Sequence, residues 1–90
     1  MKTAQEFREI AIKKMSTPDM VEAARLIEVL IFDAINKGKN YFSLNTGYAT
    51  YRDLCDLTKG YDNLKTYLEL HGYTVSTSGF DGSSFFTVSF

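Results

Sequence analysis

Tryptophan is absent from this 90-residue chain, and cysteine, histidine and proline occur once each. A lone cysteine, Cys55, excludes an internal disulfide and fits a reducing compartment. With His71 as the one imidazole, a histidine- or cysteine-based mechanism would have to run through these two residues. Zinc-ligand spacing is missing, and Lys37-Gly38-Lys39 lacks the spacing of a phosphate-binding loop. The longest apolar run, Val29 to Phe32, falls far short of the roughly 20 residues that cross a bilayer. The opening stretch interrupts its apolar residues with Glu6 and Glu9, so no secretory leader is expected there and the chain reads as cytoplasmic. An excess of one charge is missing too. The net charge is −1, with seven basic and six acidic residues in 1–45 and three basic and five acidic in 46–90. That balance excludes both a phosphate-tracking basic stripe and a strongly acidic surface that imitates nucleic acid.

Apolar and aromatic residues are present in quantity: 44% of the chain is hydrophobic, including seven Phe and six Tyr. This is enough to offset the entropy of ordering. The length predicts one domain over 1–90, with a thin core.

Thr3-Ala4-Gln5-Glu6 has the form of a capping box, followed by Phe7, Ile10, Ala11 and Met15 at helical spacing. Ser16-Thr17-Pro18-Asp19 ends that helix and opens a second, expected from Pro18 to Lys37 with Gly38 as its left-handed stop. The second helix is apolar around roughly two-thirds of its circumference, so it is either the centre of the core or an interface between subunits. Tyr41–Leu44 reads as a short strand and Asn45–Ala49 as a loop. Thr50 with Asp53 opens a third helix to Lys59, closed by Gly60. A fourth helix spans Asp62 to His71 and stops at Gly72.

The last eighteen residues carry the strongest local signal. Asp81-Gly82 lies between two β-prone runs and suits the positive φ of a type I′ turn. A two-residue loop there pairs Tyr73 with Phe90, Val75 with Val88 and Thr77 with Phe86 on one side. On the other it pairs Thr74 with Ser89, Ser76 with Thr87 and Ser78 with Phe85. One face is apolar and the other rich in hydroxyls, so the ribbon is expected to lie on a core. The fold class is therefore α+β: about four helices, a C-terminal β-hairpin and a short third strand.

After the first helix, the order helix, strand, helix, helix, hairpin resembles a winged helix. Asp62–His71 occupies the recognition-helix place and Asp81-Gly82 the wing tip. The last third also resembles small tailed-phage proteins in which a helix ends in a Gly-Tyr-x-Val strand and the chain closes on an aromatic-rich strand. The residues that carry this likeness are Leu64, Leu68, His71, Gly72, Tyr73, Val75, Val88, Ser89 and Phe90, with the Lys37–Tyr41 step from helix to strand upstream. The resemblance implies a phage origin and a host-cell setting. It concerns folding residues and assigns no activity.

The residues name no catalytic group, metal site or cofactor. Cys55 lies between Leu54 and Leu57, as a small packed thiol does, and His71 suits the negative end of its helix. Asp53 and Asp56 are neighbours on one helix but have Arg52 and Lys59 beside them, the signature of a charge-paired face. Direct nucleic-acid binding is disfavoured, because Asp62–His71 offers Lys65 alone and Tyr73–Phe90 holds no Lys or Arg. Protein binding fits better. Phe80 and Phe85 fall on the polar side of the ribbon near its tip, forming a contact patch unless the first helix or the Tyr41 strand covers them. Tyr48, Tyr51 and Tyr61 add amphipathic rings of the kind interfaces favour, with core filling as the alternative. The expectation is a non-enzymatic accessory protein that binds and modulates, by inhibition, a host protein or defence component. The alternatives are a winged-helix nucleic-acid-binding regulator, or a homo-oligomeric structural protein joined through Val29 and Phe32 as a symmetric dimer.

Overall fold

A computed structural model describes residues 1–80 and 83–90, with the side chains of residues 80 and 83 excepted. The elements run α1 (Ala4–Met15), α2 (Pro18–Asn36), β1 (Tyr41–Asn45), α3 (Ala49–Thr58), α4 (Tyr61–Leu70), β2 (Thr74–Phe80) and β3 (Ser83–Ser89). The three strands form one antiparallel sheet in the order β1-β3-β2. The element order is the winged-helix-like one expected from the sequence, and the class is α+β. The register across the hairpin is also as expected, with Val75 opposite Val88, Thr77 opposite Phe86 and Ser78 opposite Phe85. The expected turn at Asp81-Gly82 lies outside the described residues.

Helix starts follow their caps. Thr3 and Glu6 form the reciprocal capping box of α1, and the Thr17 hydroxyl accepts from the Met20 amide at the start of α2, with Pro18 in the first turn. The α3 start departs from expectation: Tyr48 occupies the cap position without a side-chain bond, and Thr50 lies inside the helix. Asn45 explains the shift. Its Oδ1 accepts from the Gly47 amide at 2.8 Å and its carbonyl from the Tyr48 amide at 3.0 Å, which tightens the loop and starts the helix early.

The ends of α2, α3 and α4 share one closure. In each, an amide beyond the helix reaches back to a carbonyl five residues earlier: Lys39 to Ala34, Gly60 to Cys55 and Tyr73 to Leu68, at 2.8–3.1 Å. Gly38 and Gly72 take the left-handed conformation this requires, at φ +75° and +94°. At α3 the expected stop, Gly60, is displaced by Lys59, which adopts φ 63°. Buried Thr58 holds this corner: its hydroxyl donates to the Leu54 carbonyl at 2.7 Å and to the Gly60 carbonyl at 3.2 Å, while Asn63 Nδ2 donates to the Thr58 carbonyl at 3.0 Å.

The core lies between α2, α3, α4 and the inner face of the sheet, built from Ile27, Ile31, Leu54, Leu64, Leu68, Phe42, Val75, Phe86 and Val88. Phe86, on the central strand, is fully buried and meets the rings of Phe42, Tyr51 and Tyr61 at centroid distances of 6.4, 5.4 and 6.2 Å. Several expected inward positions are not covered. Thr77 and Phe90 are exposed on the ribbon. The apolar stripe expected on α1 is only partly used: Ala11, Ile12 and Met15 are half-buried, whereas Phe7 and Ile10 face solvent, since α1 leans on α4 through its C-terminal half.

Two substitutions check this account by urea unfolding. Phe86→Ala should cost about 3–5 kcal/mol, much of the stability of a domain this size. Lys59→Gly should raise the unfolding midpoint, worth up to about 1 kcal/mol, by relieving a left-handed conformation at a non-glycine residue.

Candidate functional site

Alternation along the strands sends every second side chain to the side of the sheet away from the helices, and three strands in register make an ordered face there. Its rows are Tyr41–Ser89–Thr74, Ser43–Thr87–Ser76 and Asn45–Phe85–Ser78. No position in these rows is ionisable as a carboxylate, ammonium or guanidinium, and seven of the nine carry hydroxyls. In the middle row Ser43 Oγ and Thr87 Oγ1 share a hydrogen bond of 2.8 Å across β1 and β3.

Aromatic rings bracket this hydroxyl field. At one end Phe85 is 38% exposed beside Asn45 of β1. The Thr46 amide donates to the Ser84 carbonyl, carrying the ladder one step beyond β1 and bringing the following loop to the same end of the sheet. Tyr48, the most exposed tyrosine at 62%, belongs to that loop. At the opposite end Tyr41 is exposed, with Lys39 Nζ 5.7 Å from the centre of its ring. Two exposed aromatics thus stand on one face, four residues apart along the strand direction, or about 13 Å.

The site residues expected from the sequence divide between this face and the core. Phe85 and Tyr48 are exposed at one end of the sheet, and β1 lies beside Phe85 without covering it. Phe80 pairs with Ser83 through its backbone, while its side chain lies outside the described residues. Tyr51 and Tyr61 are half-buried against Phe86, where both rings fill the edge of the core. Val29 and Phe32 are exposed on the side of α2 away from the core. Tyr41 was not expected at the site. Its alternation with Ser43 was a local signal, but its place on this face depends on β1 pairing with β3 across forty-odd residues of chain.

The groups capable of supporting chemistry are dispersed. Cys55 is half-buried beside Tyr51, and His71 caps α4 with its ring edge-on to Tyr67. Asp53 and Asp56 both point to solvent, and among the described residues no three His, Cys, Asp or Glu side chains converge. Burial pushes the Tyr51 phenol up to about 12, with the adjacent Cys55 thiol and then Tyr61 adding to the effect. The fold thus retains a proton that the unfolded chain gives up near its ordinary value of 10.0. This contribution is fully present below that value and is lost as pH climbs from 10.0 through about 12. Urea midpoints measured across this range should fall for the parent chain and fall less for Tyr51→Phe.

No helix among the described residues is long and apolar enough to cross a membrane. In comparisons with known proteins the chain matches no family model, no curated protein and no solved structure.

Proposed function

We propose that the chain is a non-enzymatic accessory protein that binds another protein through the outer face of its sheet and inhibits it by occlusion. The observation that carries this reading is the uncharged hydroxyl field flanked by exposed Tyr41 and Phe85, with Tyr48 at the Phe85 end. Such a face suits a protein surface: aromatic anchors supply apolar area at low entropic cost, and hydroxyls adapt to donors and acceptors of the partner. The nine strand positions of the face carry no charged side chain, and Lys39 stands only at the margin over the Tyr41 ring, which fits a short-range, well-packed contact in preference to electrostatic capture.

The kind of target comes from the resemblance to tailed-phage proteins, on which a host enzyme or defence component, met in the host cytoplasm, is the partner. The dispersal of Cys55, His71 and the carboxylates speaks for binding over catalysis.

Nucleic-acid regulation, the usual occupation of a winged-helix arrangement, is less well supported. The exposed positions of α4 include Asp62, Asn63, Thr66 and Glu69, which oppose phosphate or leave it unpaired. Helix α1 also leans on α4, and just beyond its end Ser16 Oγ lies 3.3 Å from Tyr67 Oη.

Immobilised protein should retain a specific partner from host lysate, and Tyr41→Ser with Phe85→Ser should lose it while the thermal midpoint stays nearly unchanged. Retention of the same partner by the double variant would refute the reading. Retardation of duplex DNA at low salt, weakening steeply as salt is added, would favour the nucleic-acid alternative.

A further inference from the structure

Helix α2 buries one side completely and leaves a second apolar side in solvent. Met20, Ala23, Ile27, Ile31 and Ala34 face the core. On the far side Val21, Val29, Phe32 and Ile35 are between 47 and 66% exposed. The exposed residues are not scattered. Pro18, Val21, Arg25, Glu28, Phe32 and Ile35 follow one another at intervals of three, four, three, four and three, which is the spacing of a helix–helix seam. All six are exposed, on a stripe that runs along the flank of the helix away from the buried one.

The order of residues along that seam is self-complementary when reversed. Laid antiparallel against a second α2, with the two-fold axis between residues 26 and 27, Val21 meets Phe32 and Pro18 meets Ile35. Arg25 meets Glu28. Each contact then occurs twice, giving four apolar layers at the ends and two opposite-charge pairs in the middle. A parallel arrangement would place Arg25 against Arg25 and Glu28 against Glu28, so the central charges choose the antiparallel one. Within one chain Arg25 is held by Glu22 at 3.2 Å in an exposed pair, a weak contact that is readily exchanged, and Glu28 has no ion pair among the described residues.

We propose that the occupant of this face is a second copy of the same chain, docked as an antiparallel α2–α2 pair with Arg25 of each copy against Glu28 of the other. The nineteen residues of α2 span about 28 Å. With Val29 flanking the seam and the aliphatic stems of Arg25 and Glu28 included, both copies together bring the contact to the ~1,000 Å² scale that a specific dimer needs. This inference concerns a different surface from the face of the sheet and stands or falls independently of the proposed inhibitory function.

Sedimentation equilibrium over a wide concentration range tests it. The parent chain should approach twice its monomer mass, and Phe32→Asp should be monomeric with an unchanged helical circular dichroism spectrum. Arg25→Glu and Glu28→Arg should each weaken the dimer about tenfold or more, and the variant carrying both should recover most of that loss. A parent chain that stays monomeric throughout would overturn the proposal and leave the face to a different protein. A dimer indifferent to Phe32→Asp, or charge reversals that do not compensate, would overturn the antiparallel register. Should Phe32→Asp fail to fold, the paired charge reversals, both at solvent-exposed positions, decide alone.

Discussion

Phe86 is the contact on which the rest of the structure depends. It sits on the central strand, fully buried, and touches an aromatic ring from β1, from α3 and from α4. A thin core has few large side chains, and here tryptophan contributes none. One phenylalanine surrounded by Phe42, Tyr51 and Tyr61 therefore ties together elements that are far apart in sequence. Edge-on ring contacts of this kind are directional as well as apolar, so they set the position of the sheet over the helices as well as holding it there. The two tyrosines reach this cluster from the helical side, which leaves them half-buried at the edge of the core.

The backbone is prepared for that packing by how its helices end. Three helices close with the same reach-back hydrogen bond, and each closure turns the chain sharply into the next element. Glycine supports two of these turns at no steric cost, whereas Lys59 accepts a strained conformation at the third. Thr58, Asn63 and the Gly60 carbonyl over-determine that corner and keep α3 and α4 at their angle beneath the sheet. The strain is local, and the shared hydrogen bond of the Thr58 hydroxyl together with that from Asn63 offsets it.

Two outward surfaces remain once the core is closed, and they differ in chemistry. The outer face of the sheet is uncharged and hydroxyl-rich with aromatic rings at its margins. The outer side of α2 is apolar at both ends with opposite charges at its centre. The first is the surface proposed for a foreign protein, and the second is the one proposed for another copy of the chain. The element order resembles that of a winged helix, but α4 holds Lys65 as its one basic residue and β2 and β3 hold none, far short of what a duplex would demand.

Much of this was legible from residue order. Capping boxes, glycine stops and a strongly alternating hairpin are short-range features whose physics is complete within a few residues, so the helices, the β2–β3 register and the buried Val75 and Val88 could be read directly. The start of α3 departs from expectation because an asparagine-centred turn competes with a threonine cap, and its end because short-range hydrogen bonds around Thr58 hold the corner ahead of the nearby glycine. The partial burial of Tyr51 and Tyr61 and the exposure of Phe7 and Thr77 followed no local signal, and the alternation of Tyr41 with Ser43 left its face to be set by the pairing of β1 with β3. They depend on which elements meet in space. Local chemistry, in short, wrote the elements and their pairing across the last turn. Long-range packing around Phe86 chose which aromatic rings would be packed inside and which would stay at the surface, because burial is a property of neighbours that the chain brings together only when it folds.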